Sequence, residues 1–143
     1  MPHSPEKQKV VCYIVHNGRL LVFRHLDEAR DEAGLQVPAG TIKTGESPES
    51  AALREAREET GLCNIHIVRK VGEAEYDMAP YRTEKQHRHV FELAVDGEAP
   101  ERWVSYENDP DDGSQAKRFE CYWIPLKQGH VLSAGQGALL GAI

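Results

Sequence analysis

The sequence has no apolar run near the roughly 18 residues that a transmembrane helix needs. Residues 1–5 are polar, so we expect neither a signal peptide nor a membrane partner. Only three cysteines are present, Cys12, Cys63 and Cys121, and no two of them have CxxC spacing. This odd number favours free thiols in a reducing compartment over a disulfide scaffold. We therefore expect a cytoplasmic protein.

Basic charge is also scarce. Lysine and arginine number 17 against 23 aspartates and glutamates, which gives a formal net charge of −6. Proteins that bind nucleic-acid polymers usually carry a basic patch, so we expect no such polymer as a partner. A small-molecule nucleotide stays compatible with this charge, because it needs only a local metal ion or a few basic side chains.

Repeats, linkers and composition shifts are absent as well. The 143 residues are 40% hydrophobic and 28% charged, which is ordinary for a globular protein. A chain of this length buries roughly two-thirds of the surface that its unfolded state exposes. We therefore predict a single domain over residues 1–143.

The most informative feature that is present is a group of three acids that follows a glycine-rich run, residues 40–46. Glu55, Glu58 and Glu59 stand at positions i, i+3 and i+4, which share one face of a helix. Like charges so placed repel one another, so the arrangement calls for a cation. Mg²⁺ and Mn²⁺ prefer such oxygen ligands. The pattern predicts a metal-binding helix that takes part in phosphate chemistry, although a solvated face with ordinary charge pairs is the alternative.

The ends of this helix are readable from its capping residues. Ser47 suits the N-cap, Pro48 suits the first helical position, and Gly61 suits the position after the last turn. We therefore predict a helix over residues 48–60. Its packing stripe is predicted away from the three acids, at Ala52, Leu53, Ala56 and Thr60.

The remaining elements are predicted to be mostly strands. Asn17-Gly18 is a two-residue hairpin turn, and the return strand after it is apolar on both faces, so we expect it to be covered on both sides. The predicted strands are 10–15, 19–24, 34–38, 64–71, 86–95, 102–105 and 119–126. The predicted loops are 40–46, 73–85 and 96–114, and the tail 133–143 is predicted to be a helix. Strands around one central helix indicate an α+β fold or an α/β/α sandwich.

The segment from Gly40 to Leu62 resembles the Nudix box, G-x5-E-x7-R-E-U-x-E-E-x-G-U with U aliphatic. Every fixed position matches, except that Ala56 stands where a larger aliphatic residue is common. The run Val37-Pro38-Ala39 before the box is also similar to the family. The resemblance implies the Nudix fold, a mixed β-sheet between helices with the box as a loop–helix–loop.

The resemblance also implies roles for the box residues. Glu55, Glu58 and Glu59 would be the catalytic metal ligands for Mg²⁺, or Mn²⁺, with the backbone carbonyl of Ala39 or Gly40 as a further ligand. Residues implied to support the site without acting as catalysts are Gly40, Glu46, Arg54 and Gly61, with Glu46 and Arg54 forming a pair. A homodimer is a family-level expectation.

Residues outside the box have less specific roles. The general base is expected to be a carboxylate at the metal centre or one of the acids in the second half of the chain: Glu84, Glu107, Asp109, Asp111, Asp112 and Glu120. Of these we rank Glu84 and Glu120 first, because each is adjacent to a predicted strand. Substrate phosphates could be met by the arginines Arg24, Arg82 and Arg88.

The function that the resemblance implies is hydrolysis of the diphosphate bond in a nucleoside diphosphate linked to another group. The run Val37-Pro38-Ala39-Gly40 favours the ADP-ribose or nucleotide-sugar branch. A nucleoside triphosphate pyrophosphohydrolase of the sanitising type is the close rival. A Nudix module that senses nucleotides without turnover is a further alternative, and a protein-interaction domain with an acidic loop at 96–114 is the last.

Overall fold

The structure is a computed structural model that describes residues 6–27, 34–77, 79, 84–107, 117–132 and 134–143. Seven strands and one α-helix lie in this part of the chain. In chain order they are β1 (Lys7–His16), β2 (Arg19–His25), β3 (Ala39–Thr41), α1 (Pro48–Thr60), β4 (Ile65–Asp77), β5 (Lys85–Val95), β6 (Arg102–Glu107) and β7 (Lys117–Pro125).

The strands form one sheet in the order β4-β5-β1-β2-β7-β6, and β3 pairs with β1 beside this path. β1 and β5 run parallel, whereas the other neighbouring pairs run antiparallel. The sheet is therefore mixed, and the predicted α+β class is confirmed. No helix in the described ranges is both long and apolar enough to cross a membrane.

The β1–β2 hairpin forms where its turn chemistry predicts it. Asn17 and Gly18 both take positive φ angles, 51° and 72°, as a two-residue turn between antiparallel strands requires. The return strand is buried on both faces, as its sequence predicts. Leu21 and Phe23 face one core cluster, and Leu20 and Val22 face the other.

Helix α1 has the predicted bounds and the predicted caps. The Ser47 side chain accepts a hydrogen bond from the Ser50 amide at 3.1 Å. At the other end Gly61 takes a φ of 76°, and its amide donates to the Arg57 carbonyl at 2.8 Å. Small side chains let the helix lie close to the sheet, because Ala51, Ala52 and Ala56 are fully buried.

The opposite face of the sheet is covered by the C-terminal segment, but not by the predicted α-helix. Its regular elements in the described residues are two 3₁₀ helices, Leu126–Val131 and Leu140–Ala142. The prediction of a helix over 133–143 is therefore wrong, and the three glycines of this tail explain why, since glycine disfavours helix interiors. The segment is anchored instead by Tyr13, whose hydroxyl donates to the Gln136 carbonyl at 2.6 Å.

Two other predicted boundaries are wrong. Residues 34–38 make only isolated bridges, and the short strand lies next to them at β3, inside the predicted glycine-rich loop. Strand β4 continues to Asp77, so residues 73–77 are not in a loop. Strand β3 is set by its pairing with β1, which is distant in sequence, and residues 73–77 are held in β4 by their pairing with the start of β5.

Substitution of Leu53 tests how this helix packs. Leu53 is only partly buried against the core, whereas Leu21 on β2 is fully buried. We expect Leu53→Ala to lower the free energy of unfolding by about 1–2 kcal/mol and Leu21→Ala by about 2–5 kcal/mol. Denaturant unfolding of the two variants checks this order, and a larger loss for Leu53→Ala would contradict the packing described.

Candidate active site

The three acids of α1 do not share one environment. Glu55 and Glu59 are 2% and 7% exposed, whereas the Glu58 side chain is 37% exposed. The prediction that all three look away from the packing face is therefore wrong. Glu55 and Glu59 lie beside Ala52 and Ala56 on the buried side of the helix, because positions four apart share a face.

The two buried carboxyl groups interact with each other and with the start of β3. Glu59 accepts a hydrogen bond from the Ala39 amide at 3.1 Å, and its carboxyl group is hydrogen-bonded to that of Glu55. Burial, together with the charge of Glu55, raises the pKa of Glu59 well above its usual range. Two acids in this arrangement must hold a proton or a cation between them. The donor set therefore fits a hard divalent cation.

Gly40 lets the chain pass directly over this pair. A β-carbon placed on Gly40 would lie 2.1 Å from the Glu55 carboxyl carbon, which is far inside van der Waals contact. The glycine is needed for close approach of backbone and carboxylate, and not for a positive φ. It thus brings the β3 backbone against the acids of α1.

Arg54 connects the loop, the helix and β3. Its guanidinium donates to Glu46 at 2.8 and 3.0 Å, to Glu55 at 2.8 Å and to Glu58 at 3.3 Å. It also donates to the Thr41 carbonyl at 3.0 Å. These hydrogen bonds lower the pKa of Glu46 to about 2. The pairing of Glu46 with Arg54 predicted from the sequence is present. Arg54 in turn orients Glu55 and Glu58 through its hydrogen bonds to them.

Replacement of Arg54 by lysine should destabilise the protein although the charge is retained. A lysine cannot reproduce the planar fork that reaches several acceptors at once. We expect Arg54→Lys to lower the free energy of unfolding by about 1–3 kcal/mol, measured by denaturant unfolding. Arg57→Lys on the exposed side of the same helix is the matched control, and equal losses in the two variants would contradict this role.

A fourth acid reaches the site from β6. Oxygen atoms of Glu55, Glu58 and Glu107 all lie within 4.8 Å of one another. The sequence places Glu107 among the possible bases but ranks it behind Glu84 and Glu120. Strand alternation is the signal that could have raised the rank of Glu107 among the candidate bases. Glu107 shares a strand face with Ser105, which is buried beside the end of α1.

An open pocket of about 220 Å³ lies over these acids. It is lined by Lys9, His25, Gln36, Ala39, Gly40, Thr41, Glu55, Glu59, Glu107, Lys117 and Phe119. Two lysines therefore stand among three acids. The His25 and Phe119 rings meet edge to face, with centroids 4.8 Å apart, and form an aromatic side to the pocket.

Of the predicted site residues outside the box, the described ones Arg24, Glu84, Arg88 and Glu120 do not line this pocket. Glu120 pairs with Arg24 at 2.6 Å and with Arg102 at 2.9 Å, on the sheet face away from α1. These two ion pairs lower the pKa of Glu120. Glu84 accepts a hydrogen bond from Gln86 at 2.9 Å.

Arg88 is buried on that same face. Its guanidinium lies 4.2 Å from the centre of the Tyr76 ring and donates to the Ala134 carbonyl at 2.7 Å. Arg82 and three of the possible bases, Asp109, Asp111 and Asp112, lie outside the described residues.

Comparison with known proteins identifies relatives of this arrangement. The family model described as the NUDIX domain matches residues 6–138. An RNA pyrophosphohydrolase of Brucella abortus (strain 2308) is 30% identical over 105 residues, which cover 64% of this chain and 54% of that protein. The chain thus spans about half the length of the curated relatives it matches.

Solved structures show the same fold. A MutT protein from Methanosarcina mazei Go1 superposes with a TM-score of 0.70 at 19% identity, over 99% of this chain and 94% of that one. A UDP-X diphosphatase superposes with a TM-score of 0.68 at 18% identity, over 99% of this chain and 63% of that one. At these identities the likeness establishes the fold alone.

The comparison overturns one expectation drawn from the sequence. The net charge led us to exclude a nucleic-acid polymer as a partner, and relatives named RNA pyrophosphohydrolases conflict with that exclusion. The inference was wrong because net charge is a property of the whole surface. Locally, the pocket carries two lysines although the chain as a whole is acidic.

Proposed function

The chain belongs to the Nudix family, and from this membership we propose that it hydrolyses a diphosphate bond in a metal-dependent reaction. The observation that carries the proposal is the convergence of Glu55, Glu58 and Glu107 at the pocket, with their oxygen atoms within 4.8 Å of one another. The helix acids Glu55 and Glu58 offer the oxygen ligands that hard divalent cations prefer, and Glu107 from β6 lies close enough to reach a water molecule beside them.

We propose that Glu55, Glu58 and Glu59 hold Mg²⁺, or Mn²⁺, with the backbone carbonyl of Ala39 as a further ligand. When bound, such a cation neutralises the diphosphate, polarises the bond that breaks and acidifies a water molecule. The chain itself supplies the orientation. Arg54 fixes Glu55 and Glu58 through its guanidinium, and the Ala39 amide fixes Glu59.

Glu107 is the residue we propose to accept the proton of the attacking water. It lines the same pocket as Glu55 and Glu59, on an element separate from α1. A base on a separate strand can face the water while the helix acids stay engaged with the cation.

Glu107→Gln should therefore lower kcat by about 10²–10⁴-fold and flatten the acidic limb of the pH–rate profile. Its affinity for Mn²⁺ should change much less than in a variant of Glu58. Glu98→Gln, an exposed acid in the loop before β6, is the matched control. A normal kcat in Glu107→Gln would remove this residue from the mechanism.

Lys9 and Lys117 are proposed to contact the substrate's phosphates, because both line the pocket beside the acids. The aromatic side formed by His25 and Phe119 offers a surface on which a base or sugar can pack. The pocket's volume of about 220 Å³ is below the ~300–1,000 Å³ of most small-molecule sites. A site of this size holds the diphosphate and leaves part of the substrate outside.

The substrate class we propose is a nucleoside diphosphate linked to another group, with ADP-ribose and nucleotide sugars favoured by the residues that lead into the box. A second candidate is the phosphorylated 5′ end of an RNA. It is favoured by the relatives named RNA pyrophosphohydrolases and by a pocket that admits only part of its substrate. Nucleoside triphosphates are the third class.

The test is a panel of substrates incubated with Mg²⁺ or Mn²⁺: ADP-ribose, UDP-sugars, nucleoside triphosphates and a short RNA with a 5′ triphosphate. Products are separated by chromatography, and Glu58→Gln serves as the blank. Metal-dependent turnover of one substrate class, absent in the blank, supports the proposal and identifies the substrate class. If no class is turned over and one nucleotide raises the thermal stability, the protein is a nucleotide sensor and the proposed hydrolase activity is wrong.

We propose a cytoplasmic location for this activity. All three cysteines are free thiols, and Cys12 and Cys121 are buried. Burial raises the pKa of Cys121 to about 12, so this thiol is unreactive at neutral pH. Free thiols are typical of proteins in a reducing compartment.

A further inference from the structure

We propose that Glu73, His87 and His89 form a second metal site, specific for Zn²⁺, on the edge of the sheet formed by β4 and β5. The strand register pairs Glu73 with His89 and Glu75 with His87. Alternate residues of a strand point to one face, so these four side chains form a block on the α1 side of the sheet. Neither the box nor the pocket contributes to this block.

The donor atoms of the three proposed ligands converge. One nitrogen of each histidine and one oxygen of Glu73 lie within 4.8 Å of one another. His87 Nε2 is hydrogen-bonded to Glu73, and His89 Nδ1 lies 3.9 Å from the other Glu73 oxygen. Tetrahedral zinc with bonds of 2.0–2.1 Å places its ligands ~3.3 Å apart.

The outer nitrogen of each histidine already has an acceptor, which is the second and independent observation. His87 Nδ1 is hydrogen-bonded to Glu75, and His89 Nε2 lies 3.0 Å from the Gln8 side-chain oxygen. Metal-binding histidines almost always donate this outer N–H to a carboxylate or carbonyl group, which fixes the ring and its tautomer. Both rings are thus oriented with their inner nitrogens toward Glu73.

A cation already lies close to this position. Lys70 Nζ is 2.8 Å from Glu73 Oε2 and 3.1 Å from His89 Nδ1, on a side chain that is 36% exposed. A Zn²⁺ ion would displace this ammonium group toward solvent. Other charges that face the block are those of Glu6, 4.0 Å from His87 Nδ1, and Glu49 at the start of α1.

The ligands of this site differ in type from the acids of α1, and the two sets therefore prefer different metals. Two imidazoles and one carboxylate are a common zinc set, with a fourth position open to water. Carboxylates alone favour Mg²⁺ and Mn²⁺. The proposal therefore does not depend on the proposed hydrolase activity, and the two sites can be measured apart.

The test uses Zn²⁺ itself, titrated into the full chain at pH 7.5 against a chromophoric chelator. Wild type should bind one equivalent, and His87→Gln and His89→Gln should each weaken binding by at least about 100-fold. His66→Gln is the matched control, because His66 also contacts a carboxylate, Asp96 at 2.7 Å, on the same strand pair. Glu58→Gln should leave this binding unchanged.

Removal of the Lys70 ammonium group should raise the affinity for Zn²⁺, which a cluster with only a structural role would not show. Lys70→Met should tighten Zn²⁺ binding at least threefold, since about 0.6 kcal/mol corresponds to that factor. This variant keeps the proposal testable even if a histidine variant fails to fold. Absence of a zinc equivalent in wild type, equal binding in His89→Gln, or no tightening in Lys70→Met would each overturn the site.

Discussion

Glu58→Gln is expected to lower metal-dependent turnover by at least about 10³-fold, because a lost ligand removes several kcal/mol of charge stabilisation. The fold should tolerate the change. Glu58 is the most exposed of the three box acids, and the protein group it contacts among the described residues is Arg54, at 3.3 Å. A helix pair of this i,i+4 kind contributes about 0.3–0.5 kcal/mol to stability.

The matched control is Glu49→Gln, in the first turn of the same helix. It removes the same charge from α1 without touching the site. Turnover should therefore stay within about twofold of wild type, whereas loss of a metal ligand should lower it at least about 10³-fold. Both variants are compared by steady-state kinetics and by thermal unfolding. Near-normal turnover in Glu58→Gln, or an equal loss in Glu49→Gln, would contradict the assignment of Glu58 to the metal.

Gly40→Ala is expected to have the second-largest effect, on stability and activity together. The added methyl group would lie 2.1–2.4 Å from three atoms of the Glu55 carboxyl group. That group cannot easily move aside, because it is buried and held by Arg54 at 2.8 Å. We expect a loss of about 2–4 kcal/mol in the free energy of unfolding, as for other overpacked or strained sites.

A double-mutant cycle separates this clash from a general effect of substituting glycine. In a Glu55→Ala background the methyl group has space, so Gly40→Ala should cost at least about 1 kcal/mol less than in wild type. Gly141→Ala is the matched control, since its β-carbon would meet no atom within 4 Å. Equal penalties for Gly40→Ala in both backgrounds would mean that Glu55 is not what the methyl group meets.

Local chemistry made the ends of α1 and the β1–β2 hairpin predictable. Ser47, Pro48 and Gly61 each satisfy a backbone requirement within a few residues, and the Asn17-Gly18 pair does so for the turn. The pairing of Glu46 with Arg54 was likewise available from the resemblance to the family. These features depend on neighbours in sequence or on a fixed motif spacing.

The features that the sequence did not predict depend on contacts between distant segments. Glu55 and Glu59 are buried because β3 lies over α1, and β3 exists because residues 39–41 pair with β1. Helix periodicity alone indicates which residues share a face, but not which face the sheet covers. Strand alternation groups Glu107 with Ser105, but only the contact between β6 and α1 places that strand face at the site, 48 positions after Glu59 in the chain.

The prediction of a helix in the C-terminal segment was wrong for a related reason. Its apolar residues suggested a helix, but their partners are on the sheet, where Leu132 and Leu139 pack against the core that includes Val11 and Tyr13. Irregular backbone can cover that face equally well when Gln136 accepts hydrogen bonds from the Tyr13 hydroxyl and from the Val37 amide. The low helix propensity of the three glycines and the burial of apolar surface on the sheet together determine the conformation of this segment.

The most direct test of the central claim is a parallel titration of wild type and Glu58→Gln with Mn²⁺, in which bound metal and turnover are measured in the same samples. Bound Mn²⁺ is followed by loss of the free-ion resonance signal, and turnover is followed on the best substrate of the panel. We predict that turnover rises in step with occupancy in wild type, and that both curves shift together to higher Mn²⁺ in Glu58→Gln. Turnover without metal, or weaker Mn²⁺ binding in Glu58→Gln with unchanged turnover, would contradict the claim that these acids hold the ion that supports hydrolysis.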